Sequence, residues 1–432
     1  MFIKRFRQGA ISVAVSLLTS IVATNPVLAK PGAEGVAVVV GQGVRFATFN
    51  ASLNRNNSGD LINDLSSPGN AQAAAVAEII QRVRPDVLLI NEFDFDADGL
   101  AAKLFQDHYL SVGQQGAEPI VYGYRFVAPS NTGVPSGLDL DNDGTVGGAN
   151  DAFGFGFFPG QFGMAVYSRY PIDEARIRTF QKFLWKDMPG ARLPEDPLDS
   201  DGNGDTTSFY TAEELDALRL SSKSHWDVPI MVPSRAGDGA SSRTVHFLVS
   251  HPTPPVFDGA EDRNGTRNFD EIRFWADYIR PLQSRYIYDD NGVRGGLLAR
   301  DLFVIAGDQN SDPNDGDSIP GAIQQLLNHP RINTQVAPES DGGPEQAALQ
   351  GGANATHLSD PAFDTADFAD TAPGNLRADY VLPRRNLRIL DAGVFWPTQD
   401  DPLFRLVGTF PFPSSDHRLV WIDLRFPVNA GH

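Results

Sequence analysis

Residues 301–313 read DLFVIAGDQNSDP. Leu302-Phe303-Val304-Ile305-Ala306 is a short apolar run, the pattern of a buried strand. Gly307 is read as ending that strand, and the loop after it carries Asp308, Asn310 and Asp312-Pro313. A buried strand that delivers a carboxylate and a carboxamide into its end loop is a common way to build an active site. The strand fixes the position and the loop gives access. Asp, Asn, Gly and Pro are also the ordinary residues of turns, so this stretch has to be weighed with the rest of the chain.

The first part of the chain has the same design. Residues 44–50 (VRFATFN) alternate apolar and polar side chains, the pattern of a half-buried strand, and end on Asn50. A polar loop is expected over 51–69. Asn70 has the character of an N-cap for a helix over 71–83, whose Val76, Ile79, Ile80 and Val83 share one face. Arg84-Pro85 stops it. Residues 86–91 (DVLLIN) are a second buried strand, with Glu92 at its end. Strand, helix and strand with short connections make a β-α-β layout, and in open α/β sheets ligands bind at the C-terminal strand ends. Asn50 and Glu92 fall there, although a lone strand-end acid is often simply solvated.

Further strands are expected at 164–167, 226–230 and 244–250, the last followed by His251-Pro252. A lone histidine is more often structural than functional. A polar loop over 258–268 carries Arg263 and Arg267, and Asp270 is expected to cap a helix running to Arg280. A helix follows Pro320. Residues 378–382 (ADYVL) are a strand carrying Asp379, residues 387–395 are another, and Ser414-Ser415-Asp416-His417 leads into a last strand, 418–424. Strand and helix patterns alternate in both halves, which predicts an α/β sandwich rather than a bundle or a barrel. One domain is expected over 44–426, with insertions near 113–165, 185–224 and 331–376.

The 432 residues include 41 Gly, 31 Pro and no Cys. The N-terminus reads as a secretory signal: Lys4, Arg5 and Arg7, an apolar run over 10–23, and Val27-Leu28-Ala29 as the cleavage site. Cleavage after Ala29 and a linker over 30–43 are expected, which predicts a secreted or periplasmic protein with no stable membrane insertion afterwards. The formal net charge is −19, or −22 once Lys4, Arg5 and Arg7 leave with the signal. That balance argues against a general electrostatic grip on nucleic acid or anionic membrane and suits a protein that binds divalent cations.

Asp139-Leu140-Asp141-Asn142-Asp143-Gly144 matches the opening of a calcium loop, with acids at positions 1, 3 and 5 and Gly at 6. The usual Glu at position 12 is missing; Asn150 stands there, with Asp151 next. Residues 199–205 are a weaker version, and both read equally as acidic turns. Thr211-Ala212-Glu213-Glu214 is a capping box for a short helix. Phe153, Phe155, Phe157 and Phe158 lie in a Gly-rich loop that offers a lipid-touching element, although such repeats more often pack over the fold.

Taken in order, Asn50, Glu92 after DVLLIN, His251 in SHP, Asp308 and Asn310 in GDQN, Asp379 in ADYVL and Asp416-His417 in SDH resemble the endonuclease/exonuclease/phosphatase family. SHPTPPVFDG and EDRNGTRNFDE look like a secreted bacterial branch related to the pancreatic-type deoxyribonucleases. The resemblance implies a four-layered α/β sandwich, two facing mixed β-sheets flanked by helices, and metal-dependent hydrolysis of phosphate esters, DNA and RNA among them. It implies that Glu92, Asn50 and Asp416 serve an Mg2+ or Mn2+ site and that Asp308 aligns and deprotonates water. Asn310 would bond a phosphoryl oxygen, His251 and His417 would contact the scissile phosphate, and Asp379 would orient His417. Gln309 departs from the family's aromatic or aliphatic residue there; it is expected to point away from the site.

The leading expectation is therefore a secreted phosphodiesterase, as a nuclease or otherwise, with local positive charge from Arg263, Arg267, Arg377, Arg384, Arg385 and Arg388. A phosphomonoesterase or a sphingomyelinase-like lipid phosphodiesterase is the alternative within the same chemistry. The alternative outside it is a non-catalytic surface protein holding structural Ca2+ at Asp139, Asp141, Asp143 and Asp151.

Overall fold

The computed structural model describes residues 43–426, apart from 201, 203 and 234–241. The expected signal, most of the linker and part of the second acidic loop lie outside the described residues. In chain order the strands are β1 (Val44–Leu53), β2 (Val87–Phe93), β3 (Tyr124–Phe126), β4 (Met164–Ser168), β5 (Arg178–Thr179), β6 (His225–Pro233) and β7 (Ser242–Ser250). They continue with β8 (Leu302–Asp308), β9 (Ala366–Asp367), β10 (Asn375–Leu376), β11 (Asp379–Pro383), β12 (Arg388–Val394) and β13 (Val420–Arg425). One sheet has the order β12-β13-β1-β2-β4-β3 and the other β11-β8-β7-β6-β5, while β9 and β10 pair alone. Each large sheet is antiparallel except for one inner parallel pair, β1 with β2 and β7 with β8.

Strand side chains alternate between two faces, and here both faces are covered. Phe46, Val87, Leu89, Val166 and Ile422 from the first sheet pack with Trp226, Phe247, Val249, Val304 and Val381 from the second, forming the middle of a sandwich. The opposite face of the first sheet, with Phe49, Leu88 and Ile90, packs on α1 (Asp60–Leu65), α2 (Ala71–Val83) and α3 (Leu100–Phe105). The opposite face of the second, with Leu248, Phe303 and Ile305, packs on α5 (Arg263–Tyr278) and α6 (Gln324–Leu327). Between them in sequence lies α4 (Ala212–Ala217), and α7 (Gly342–Gln350) follows. Helices, sheet, sheet and helices give the four expected layers. Each large side chain fully buried among them contributes roughly 1.5–3 kcal/mol relative to exposure. The described residues belong to one compact unit, Val39–His432.

Local signals were accurate where they were strong. Asn70 caps α2, its side chain accepting from the Ala73 N–H at 2.9 Å, and Thr211 and Glu214 form the capping box of α4. Other expectations need correction. Asp270 does not cap α5: the helix begins at Arg263, and Asp270 lies inside it, buried, accepting from Trp185 Nε1 and from the Arg192 N–H. The expected polar loop over 258–268 is therefore largely helical. The loop over 51–69 contains α1, the stretch near 113–165 supplies β3 to the first sheet, and the helix after Pro320 is a single turn. In each case polar or glycine-rich sequence hid an element that tertiary packing stabilises.

Gly307 does not end β8, which runs on to Asp308. Its φ of +146° is a conformation that side chains rarely adopt, and an added Cβ would lie 2.0 Å from the Ser250 carbonyl oxygen of β7. Gly307 thus lets two strands close up beside the residue that follows it. Gly307→Ala is expected to destabilise the protein by more than about 2 kcal/mol, read as a fall in denaturant midpoint. An unchanged midpoint would show that β7 and β8 part easily at this point.

Candidate active site

The hydrophobic rows of the inter-sheet face end in polar residues. In β1 the row containing Phe46 reaches Thr48 and Asn50; in β2 Val87 and Leu89 lead to Asn91; in β8 Val304 and Ala306 lead to Asp308. In β7 Val245, Phe247 and Val249 lead to His251, one step past the strand, and in β11 Asp379 precedes Val381 on the same row. The register brings Asn50 opposite Asn91 and Asp379 opposite Asp308. Period-two alternation therefore sends five polar side chains to one end of the slot between the sheets.

Asp308 is buried at the centre of this group. Its Oδ2 accepts from Asn50 Nδ2 at 3.1 Å and lies 3.2 Å from His251 Nε2 and 3.7 Å from His417 Nε2. Its Oδ1 accepts the Asn310 N–H at 2.9 Å. Burial opposes its charge, but His417 and His251 outweigh burial and hold the carboxyl well below the usual carboxylate range. His417 Nδ1 lies 2.7 Å from Asp379 Oδ2, which also accepts from Thr365 Oγ1 at 2.9 Å. Burial works against a charged His417, yet Asp379 and Asp308 on its two sides raise its pKa well above the ordinary value, so the ring is a cation. His251 behaves oppositely: burial and the nearby Lys223 lower it to about 4, so it is neutral at pH 7.

Glu92, in β2, accepts from Asn54 Nδ2 at 2.7 Å; burial and the charge of Asp416 push its pKa up. Asp416 Oδ1 accepts from Ser52 Oγ at 3.3 Å. The Glu92 and Asp416 carboxylates, beside the Asn50 carboxamide, form a hard-oxygen donor set suited to a divalent cation. The residues present thus fit the metal that the sequence implies. Single ligand atoms of Asp308, Asp379 and His417 also converge within 4.8 Å of one another. Ser52, Glu92 and Asn310 all have positive φ, 48°, 56° and 50°, an uncommon backbone state that concentrates at functional sites.

Two participants were missed at the sequence level. Lys223 is buried; its pKa is lowered by burial against the pull of Glu271, Glu92 and Asp308. Glu271, on α5, accepts from the Ser222 N–H at 2.6 Å and the Thr253 N–H at 2.7 Å, tying the Lys223 segment to the His251 loop. A lysine in SSKSH carries no local signal, and nothing local marks Glu271 in a helix expected to start at Asp270. Gln309 points to Ser250 Oγ, 3.3 Å away on the neighbouring strand, and its backbone oxygen accepts from Asn268.

Most of the expected positive charge lies elsewhere. Arg267 is buried and donates to the carbonyls of Leu220, Phe153 and Arg219. Arg263 pairs with Glu261, and Arg377 stacks over Tyr380 at 4.6 Å. Arg384 follows β11 at the end remote from Asp379, where its N–H bonds the Phe303 carbonyl; Arg385 is next to it, and Arg388 pairs with Arg425 at the same far edge. In the acidic loop, oxygens of Asp139, Asp141 and Asp143 converge within 4.8 Å. Asp151 is not among them: its two oxygens accept the N–H groups of Leu140 and Gly147 and hold the loop.

A two-sheet sandwich whose slot ends in a buried carboxylate, two histidines and a separate acidic pair defines a hydrolase of the metal-assisted type. The chain matches the model of the Endonuclease/Exonuclease/phosphatase family over residues 47–417, and it belongs to that family. With the family it is a hydrolase acting on phosphate ester bonds, and the family's enzymes depend on divalent metal. Among solved structures it is similar to an endonuclease/exonuclease/phosphatase from Beutenbergia cavernae DSM 12333, with 18% identity over 89% of this chain and 72% of that one and a TM-score of 0.45. It is also similar to a family protein from Leptotrichia buccalis C-1013-b, at 13% identity over 89% and 100% with a TM-score of 0.43. For sphingomyelinase C from Streptomyces griseocarneus the values are 15%, 89%, 99% and 0.41. No curated protein matches the chain.

The histidine shifts give a pH test. His251, lowered by burial from 6.5 to about 4, binds its proton less well folded than unfolded. Its contribution is therefore fully present above about 6.5 and is lost as pH falls toward about 4. The stability difference between the wild type and His251→Gln is expected to shrink over that window by no more than about 3 kcal/mol. A difference that is constant with pH would show that His251 is not held neutral.

Proposed function

We propose that this protein is an exported, divalent-metal-dependent phosphodiesterase. The observation that carries this reading is the Asp308 carboxylate, kept ionised in a buried slot by Asn50, His251 and His417. A phosphodiester is anionic and resists a nucleophile, so its charge must be neutralised where the reaction occurs. Glu92, Asp416 and Asn50 would hold a divalent ion, which would supply Lewis-acid neutralisation there. The chain's own residues do the rest. Asp308 orients the attacking water and receives its proton. His417, charged and fixed by Asp379, donates through Nε2 toward the phosphoryl group. His251 and Asn310 offer neutral donors, and the buried Lys223, whose pKa burial lowers, interacts electrostatically with Glu92 and Asp308.

Export is supported by Lys4, Arg5, Arg7, the apolar run over 10–23 and Ala29; the exported form is expected to begin at Lys30 when its N-terminus is sequenced. Structural calcium is a second reading, favoured by the convergence of Asp139, Asp141 and Asp143 and by the unpartnered buried Oδ1 of Asp141. Calcium added without magnesium is then expected to raise the melting temperature.

The deciding experiment is a panel of bis-p-nitrophenyl phosphate, p-nitrophenyl phosphate, DNA, RNA and sphingomyelin with Mg2+, Mn2+, Ca2+ or EDTA. Diester cleavage that needs metal is expected. Asp308→Ala should lower it by about 10²–10⁴-fold with the fold retained. Turnover confined to the monoester, or surviving in Asp308→Ala, would overturn the reading.

A further inference from the structure

Asp364 is a buried acid without a partner. It is 3% exposed, and among the described residues no hydrogen bond or ion pair reaches its carboxyl group. Buried polar groups in folded proteins nearly always have a partner, so an exception needs a physical reason. Three further aspartates belong to the same neighbourhood. Asp312, itself buried, and Asp315 follow Asp308 and Asn310 in one loop, and Asp360 caps the short 3-10 turn Pro361–Phe363 that Asp364 follows. Hydrogen bonds join the two segments at both ends. At one end Ser359 donates from Oγ to Asp312 Oδ1 and from its N–H to Asp315 Oδ2, both at 2.8 Å. At the other end the peptide group between Leu376 and Arg377 is shared. Its carbonyl accepts the Thr365 N–H at 2.9 Å, and its N–H donates to Asp312 Oδ2 at 3.0 Å. Asp360 and Asp364 lie on the span between those two ties.

No ion pair balances these four acids among the described residues. Asp312, Asp315 and Asp360 accept only from neutral groups: the N–H groups of Asn314, Leu358 and Ala362 among them, and the Ser359 hydroxyl. Arg377, whose N–H serves Asp312, lays its guanidinium over Tyr380 at 4.6 Å. Burial, with the charges of Asp312, Asp315 and Asp360, pushes the Asp364 carboxyl up to about 8. Unpaired like charges out of water are costly, and a cation among them removes the cost. Ca2+ takes about six to eight oxygens, carboxylates foremost, in a flexible geometry that two loop segments can supply. We propose that Asp312, Asp315, Asp360 and Asp364 hold a divalent cation of the Ca2+ type, at a site that shares no residue with the Glu92 group or with the Asp139 loop. The ion would brace the active site from two directions. Asp312 is in the loop of Asp308 and Asn310, and Thr365, next to Asp364, bonds the Asp379 that holds His417. The site itself does not depend on the phosphodiesterase reading.

The test is calorimetric titration with CaCl2, and separately with MgCl2, of the protein from Lys30 onward after EDTA has been dialysed away; Val39–His432 is a compact unit. Asp364→Asn keeps the shape of the side chain and removes its charge. It is expected to bind one equivalent of calcium fewer than the wild type. Asp360→Asn, which still offers an oxygen to the Ala362 N–H, should weaken that equivalent by about tenfold, as loss of one charged ligand does. Glu92→Gln and Asp141→Asn should leave it in place, which separates this site from the other two acidic groups. Melting in EDTA guards against misfolding: without a cation the carboxamide relieves repulsion, so Asp364→Asn should melt no lower than the wild type, while calcium should raise its melting temperature less. Loss of a magnesium equivalent in place of calcium supports the same site with the smaller ion. Equal stoichiometry for both ions in Asp364→Asn and the wild type overturns the proposal. So does an Asp364→Asn protein that melts well below the wild type in EDTA, which would make the carboxyl a neutral structural acid. Binding is the readout throughout, so failure of bis-p-nitrophenyl phosphate turnover would touch the catalytic reading alone.

Discussion

An ionised carboxylate buried between two β-sheets is the constraint on which the rest of this protein depends. Removing Asp308 from water costs several kcal/mol unless donors replace the lost hydration. The compensation comes from three places in the chain: Asn50 on the first sheet and His251 after β7 on the second as donors, and His417 in the loop entering β13 as an ion-pair partner at 3.7 Å. None of them can do this unless the sheets face each other in one register. The charge at the site and the geometry of the sandwich are therefore a single problem with a single solution. Asn91 makes the same link from the other side, donating to the Ser250 carbonyl and accepting from the Asp308 N–H, each at 3.4 Å.

Placement on strands explains how such a site can be ready before substrate arrives. The hydrophobic rows that hold the sheets together are the rows that end in Asn50, Asn91, His251, Asp308 and Asp379, so core packing and positioning of the polar groups come from the same contacts. A preorganised set of donors avoids reorganisation when charge develops on a phosphoryl group. The opposite electrostatic fates of the two histidines follow from their surroundings. Asp379 and Asp308 outweigh burial at His417, which keeps its proton, while at His251 burial, with Lys223 nearby, wins and the ring is neutral.

Much of this was legible in the chain. Residues 302–306, 86–91 and 44–50 announced strands because alternation and apolar runs are local properties, and Asn70 and Thr211 announced helix starts through caps that are themselves local bonds. Asn50, Glu92, His251, Asp308 and Asn310 stood out as candidates because strand ends can be located without knowing how strands pair, and the resemblance to the family added Asp379, Asp416 and His417. The failures share one cause. Arg267, Asp270 and Glu271 look like surface residues of a polar segment, yet all three are buried because their partners come from distant segments: carbonyls near 153 and 219–220, Trp185, and the N–H groups of Ser222 and Thr253. Burial of a charge is decided by its partners, and these lie 18 to 114 residues away.

The sequence by itself determined the alternating strands, the capped helices and the residue types gathered at strand ends, because each depends on interactions within a few residues. The tertiary structure decided which of those residues meet. Only the pairing of β7 with β8 and the facing of the two sheets bring His251, His417 and Asn50 around Asp308, and Glu271 ties the Lys223 segment to the His251 loop. Those contacts close long loops, and their free energy comes from burying apolar surface across the whole sandwich rather than from any local pattern.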